Sequence, residues 1–253
     1  MLDLHAHLLP AGVPAGTALL LIILSFFTSA MTAAFGIGGG VAMLGGLAAV
    51  VPPGVIIAVH GFVQFGSNVG RTFVQREFVD WRPVRLFLAG SIAGVALGAW
   101  LVTSLPARWL LGAIGVFMLV MTWLPKPRLP GLEKQGMVIG GAIASLLSMF
   151  VGAVGPFVQA LLLPLGYEKK PLIATHSAMQ TFQHALKVIA LAFAGVSFSG
   201  WLPLSLAMIA SGFAGTVLGT KILDRIPEDK FRTMLNIVLT ILALDLLRRA
   251  AFG

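Results

Sequence analysis

The sequence predicts an all-α polytopic membrane protein made of two homologous halves, and three observations predict it. Of its 253 residues, 58% are hydrophobic and only 10% are charged, against roughly 25% charged in soluble domains. Apolar stretches of about 17–22 residues recur from end to end, the length that crosses a hydrocarbon core of ~30 Å. The chain also aligns with itself. Placing residue n over n+116 brings Gly36 over Gly152, Gly39 over Gly155, His60 over His176, Gln64 over Gln180 and Arg71 over Lys187. With four residues inserted, Phe78, Trp81, Pro83 and Ser91 meet Phe198, Trp201, Pro203 and Ser211; one more brings Gly94, Gly98 and Pro106 over Gly215, Gly219 and Pro227.

Each half follows one plan. A first apolar segment (15–34, 136–151) runs into a glycine break, FGIGGG at 35–40 and VGAVGP at 151–156. A short second segment follows (41–51, 157–165), bounded by Pro52-Pro53 and by Pro164 with Gly166. A third (54–73, 172–193) carries polar residues, and two apolar segments (84–104 and 108–124; 202–223 and 231–247) complete the half. The expected organisation is a first membrane repeat over 1–125, a cytoplasmic linker over 126–134 and a second repeat over 135–253.

Composition narrows the chemistry. There is no cysteine, which excludes disulfides, thiolate nucleophiles and Cys-ligated metals. The net charge of +8 is explained by Lys and Arg in cytoplasmic loops, so no nucleic-acid partner is expected. The N-terminal MLDLHAHLLPAG has neither a basic region nor a cleavage site, so a removable signal peptide is not expected. Its His5 and His7 read as a flexible terminus; no metal site and no cofactor are expected.

The basic residues also bear on topology. Suppose every segment changes side, or the first two form a re-entrant hairpin of the same parity. Arg71, Arg76, Arg82, Arg85, Lys126, Arg128, Lys134, Lys169, Lys170, Lys221, Arg225, Lys230 and Arg232 then lie inside, leaving Arg108, Lys187, Arg248 and Arg249 outside. A single bent crossing in place of the first two segments gives a weaker bias. The positive-inside rule therefore favours an odd number of crossings per half, hence inverted repeats.

The third segments carry the functional signal. In HGFVQFGSNVGR, residues 60–71, His60, Gln64, Ser67, Asn68 and Arg71 fall within about 100° of one another on a helix of ~100° per residue. The second copy, HSAMQTFQHALK at 176–187, puts His176, Gln180, Gln183, His184 and Lys187 at the same offsets. Polar side chains at membrane depth usually face the bundle interior or a water-filled path. One polar residue alone reads equally well as interhelical glue, but the whole stripe occurring twice reads as a lining. Arg71 and Lys187, near segment ends, read more readily as snorkelling cations. Gly90, Gly94 and Gly98, with Gly215 and Gly219, read as helix packing.

The glycine breaks supply the second part of the site. Unwound backbone before a short helix offers free N–H groups and a positive dipole end, and Pro156 suits a first helical turn. The candidate substrate-binding residues are Gly36, Gly38, Gly39, Gly40, His60, Gln64, Asn68, Gly152, Gly155, His176, Gln180 and His184. Carboxylates are missing from this set; the nine acids lie in loops or near segment ends, Asp245 in the last helix included. Cation sites normally use Asp or Glu, so the set points to a small anion, with histidine offering proton coupling.

With FGIGGG, the His- and Gln-rich third segment, FVDW at 78–81 echoed as FSGW at 198–201, and the SIAGVALG helix, the chain resembles the TauE/SafE family of sulfite and organosulfonate exporters, also called the toluene sulfonate uptake permease family. The resemblance spans nearly the whole chain. It implies a multi-pass carrier of sulfite, sulfoacetate or other sulfonates in the bacterial inner membrane, coupled to the proton gradient. It implies seven or eight membrane segments, fewer than the ten here unless the short segments re-enter or merge with the first segments.

The leading expectation is thus a secondary transporter, an exporter of a small sulfur-containing anion, with protons and the lipid bilayer as partners. Small-residue faces permit a homodimer. An anion channel, or a carrier of another small anion, is the alternative. An intramembrane enzyme using Ser67 or Ser177 with a histidine is weaker, since G-x-S-x-G and H-E-x-x-H are both absent.

Overall fold

The computed structural model describes residues 9–36, 38–102, 106–123, 134–222 and 228–252. His5, His7 and all of the 126–134 linker except Lys134 lie outside the described residues, as does Arg225. The described chain is helical, with two sets of five helices in the same order. The first set is α1 (Ala15–Phe35), α2 (Gly39–Ala48), α3 (Pro53–Val74), α4 (Trp81–Val102) and α5 (Ala107–Trp123). The second is α6 (Lys134–Val151), α7 (Gly155–Leu162), α8 (Lys169–Phe193), α9 (Leu202–Ile222) and α10 (Glu228–Phe252). Each matches an expected segment within a few residues.

Length and polarity sort these helices. α1, α4, α6 and α9 are both long and apolar enough to cross a membrane. At ~1.5 Å per residue, the 10-residue α2 and 8-residue α7 reach only about 15 and 12 Å, half a hydrocarbon core at best. Neither spans by itself. α3 and α8, with 22 and 25 residues, have the length, but their polar residues dilute the hydropathy. Those residues are buried inside the protein, whereas Leu20, Phe27, Trp100, Phe193 and Ile241 face outward, as lipid contact requires.

The glycine breaks have local causes. α1 ends in a left-handed Gly36 (φ 81°) whose N–H bonds the Thr32 carbonyl at 2.9 Å. α6 ends identically at Gly152 (φ 77°), bonded to the Ser148 carbonyl at 3.0 Å. Left-handed backbone suits glycine at a helix C-terminus because it has no Cβ to clash. Gly39 is required by proximity: a Cβ there would lie 2.0 Å from the Thr28 carbonyl oxygen and 2.1 Å from Thr32 Oγ1, so α2 leaves α1 at backbone contact. In the second set Pro156 occupies the first turn of α7.

The two sets interlock. α4 packs along α6, and α9 along α1; the two stripe helices, α3 and α8, pack on each other, as do α5 and α10. The first two contacts are equivalent in detail. A Cβ on Gly94 would lie 2.1 Å from the carbonyl oxygen of Ala142, and one on Gly215 2.1 Å from that of Phe26. Phe26 and Ala142 are themselves 116 residues apart. The glycine spacings of α4 and α9 are therefore packing devices, as read from sequence. Each set lends its fourth helix to the first helix of the other, which holds α3 and α8 at the centre.

Candidate functional site

Where α3 and α8 meet, the two stripes face each other and the ends of the broken helices. The His60 imidazole Nε2 lies 3.0 Å from the Gly40 carbonyl, and His176 Nε2 lies 3.1 Å from the Gly155 carbonyl. Each half thus ties its stripe histidine to the start of its own short helix. Gln64 Nε2 sits 3.4 Å from His60 Nε2, and Gly40 is small enough to admit it: a Cβ there would meet that amide nitrogen at 2.8 Å.

Lower on α3, the Asn68 amide donates to the Gln64 carbonyl at 2.8 Å and its Oδ1 accepts from Arg71 at 2.9 Å. Arg71 also donates to Ser67 at 3.3 Å and to Ser177 of α8 at 3.5 Å. Ser67 in turn pairs with Ser29 of α1 at 3.0 Å. Gln183, at the position equivalent to Ser67, donates to Ser145, at the position equivalent to Ser29, also at 3.0 Å.

These groups enclose a cavity of about 30 Å³, room for about two water molecules. Ten of the twelve candidate residues line it: Gly36, Gly38, Gly40, His60, Gln64, Asn68, Gly155, His176, Gln180 and His184. Gly39 and Gly152 do not. Gly39 is pressed against α1, and Gly152 gives its carbonyl to Lys187 at 2.7 Å. Thr32, Val41, Arg71, Ala153 and Pro156 complete the wall, and no carboxylate belongs to it.

The snorkelling reading of Arg71 and Lys187 is wrong. Arg71 is 1% exposed and Lys187 is fully buried. Both lie deep between α3 and α8 because packing, rather than distance along the helix, decides where a stem of four carbons or fewer can lead. Arg71 lines the cavity but was left out of the candidate set. Its signal was present, since it shares the stripe, but proximity to a helix end outweighed it.

Several polar atoms facing this region lack partners among the described residues: His60, His176 and His184 Nδ1, Gln180 Oε1 and Arg71 Nε. Buried polar groups are satisfied in most proteins, so this cluster is a candidate binding place. Arg71 brings full positive charge with hydroxyls and an amide around it. Asp245 pairs with Arg248 and Arg249 near the end of α10, and no acid among the described residues pairs with Arg71. Removing a charge from water without a counter-charge is expensive, so the arrangement suits an incoming anion.

The fold is that of a polytopic helical membrane protein, with a polar cavity lined from both of its halves. The family model for the sulfite exporter TauE/SafE matches residues 21–246, from within α1 into α10, and the chain belongs to that family. It is also similar to a protein of Comamonas testosteroni described as a probable inner membrane transporter protein, TsaS. That likeness is 26% identity over 180 residues, covering 66% of this chain and 72% of the relative. No solved structure gives a significant match.

Proposed function

We propose that the protein is a secondary transporter in the bacterial inner membrane that exports a small sulfur oxyanion such as sulfite, bound in the cavity between α3 and α8. The observation that carries this reading is Arg71: a buried cation facing a cavity walled by donors and free of carboxylates. The bound anion would accept from Arg71, Gln64 and Gln180, with the N-terminus of α2 contributing its dipole. A volume of about 30 Å³ favours an inorganic oxyanion over an arylsulfonate in this conformation. His60, His176 and His184, all in the wall, would carry the coupled proton. Residues 1–125 and 135–253 would act as inverted repeats joined by a cytoplasmic linker, since repeat-built carriers place their sites at such interfaces.

The reading is tested by thermal unfolding of detergent-purified protein with sulfite, sulfate, small sulfonates, acetate and chloride, followed by flux in proteoliposomes under a proton gradient. Sulfite at about 100 times its Kd should stabilise the fold by ~2.7 kcal/mol, and Arg71→Met should abolish the effect. Absence of sulfite and sulfonate binding and flux in wild-type protein at every pH would sink it.

A further inference from the structure

Arg71 and Lys187 hold equivalent positions on α3 and α8 and are both buried, yet they do different things. The Lys187 ammonium donates to the carbonyls of Gly152 at 2.7 Å and Ser148 at 3.4 Å. Ser148 lies in the last turn of α6, its carbonyl also accepting the Gly152 N–H, and Gly152 just past it, where the helix dipole favours a cation. The equivalent carbonyls in the first half are those of Thr32 and Gly36, at the end of α1. Arg71 makes no hydrogen bond to either among the described residues. It is turned toward Ser67, Asn68 and Ser177 instead. Thr32, Gly36 and Arg71 all line the cavity, and Lys187 does not. The cavity therefore stands, in the first half, where the second half makes a contact between a cation and a helix end.

We infer that Arg71 and Lys187 are two latches used in alternation: Lys187 is closed onto the end of α6, Arg71 is open to the anion, and in the opposite-facing state they exchange roles. The inference rests on the anion-carrier reading above. In the exchanged state Arg71 reaches the Thr32 and Gly36 carbonyls and closes the present cavity, while Lys187 leaves α6 and faces the anion. Each state then compensates both buried cations, one by a helix end and one by the substrate. Neither state leaves an unpaired buried charge, which is what makes two opposed arrangements of one bundle comparable in energy. Lys187 is thus a positioning residue in the conformation described and a substrate ligand only in its counterpart.

The test compares Lys187→Met with wild type in two measurements, sulfite binding by titration calorimetry in detergent and sulfite flux in proteoliposomes. Binding is expected to stay within about threefold, the scatter between independent sites, while flux falls by at least tenfold, as loss of a hydrogen bond to a charged group implies. Loss of binding together with flux would make Lys187 a ligand of the present cavity and overturn the alternation. Retained flux would reduce it to a helix cap and overturn it equally. Should Lys187→Met not yield monodisperse protein, the swap Arg71→Lys with Lys187→Arg carries the test. It keeps a cation at both latches and should transport within about tenfold of wild type; a folded swap that binds sulfite without moving it overturns the proposal. Failure of wild type to bind or move any sulfur oxyanion would instead reject the carrier reading itself.

Discussion

His60 of α3 and His184 of α8 stand edge to face, their ring centroids 5.8 Å apart at 77°. The pair joins the two stripes across the centre of the protein, and it is not the pair that the internal repeat relates, since His60 aligns with His176. Position 68, the counterpart of 184, is Asn. The two halves therefore supply chemically different walls to one cavity.

That difference makes His184 the residue to separate proton coupling from anion binding. His184→Gln keeps polar atoms in the wall and removes an imidazole, the side-chain type suited to proton exchange. Sulfite binding, read by thermal shift, should stay within about threefold of wild type. Accumulation against a sulfite gradient under an imposed proton gradient should fall at least about tenfold. Unchanged accumulation would place the coupling elsewhere.

Gly39 and Gly54 form a second, structural test. A Cβ at Gly39 would be driven into the Thr28 backbone, so Gly39→Ala should destabilise by about 3 kcal/mol or more, beyond ordinary overpacking. At Gly54 in the first turn of α3 a Cβ meets nothing within 4 Å, and Gly54→Ala should be neutral or stabilise by up to ~1 kcal/mol. Thermal unfolding in detergent measures both. Equal effects would contradict the close α1–α2 departure.

The equivalence of the two halves can be measured through Gly94 and Gly215. Each would place a new Cβ 2.1 Å from a backbone carbonyl oxygen of the helix it packs on. Gly94→Ala and Gly215→Ala should lower the unfolding temperature by similar amounts. Gly112→Ala, whose Cβ would meet only Ala250 Cβ at an ordinary 3.5 Å, serves as the control and should change little. A large drop in only one of the pair would mean that the crossed contacts α4–α6 and α9–α1 do not bear equal load.

A fourth prediction concerns a contact between the α3–α4 and α7–α8 loops. The Tyr167 hydroxyl donates to Asp80 Oδ2, while Asp80 accepts the Arg82 N–H at 2.9 Å to cap α4 and donates its own N–H to Thr175 of α8 at 3.0 Å. Partial burial, and then the hydrogen bond to the Asp80 carboxylate and its charge, raise the Tyr167 hydroxyl above its ordinary value. A raised pKa stabilises the fold fully below the unfolded tyrosine value near 10, and that contribution is lost as pH rises from there. Tyr167→Phe should therefore cost about 1–3 kcal/mol at neutral pH, with the gap to wild type constant to about pH 9 and shrinking above 10. A gap independent of pH would assign the loss to packing.

Much of this architecture was legible because membranes impose simple rules. Apolar length set the helices, and the repeat in Gly, His and Gln fixed their correspondence. The FVDW motif showed as a resemblance before its job was visible: Asp80 ties α4 to α8, a contact between residues 95 apart that no local pattern encodes. The second copy, FSGW, has Gly200 in its place, so the tie exists once. Among the glycines read for the site, Gly36, Gly38, Gly40 and Gly155 line the cavity, while Gly39 serves helix contact and Gly152 gives its carbonyl to Lys187.

The sequence by itself determined the solvent, the ten helices and the polar stripes, because hydropathy and a helical period of 3.6 are local properties of the chain. Only the tertiary structure decided that Arg71 opens onto a cavity while Lys187 closes onto the end of α6. Both have the same stripe position and the same charge. What separates them is which backbone carbonyls the neighbouring helix brings within reach, and that depends on packing between segments far apart in the chain.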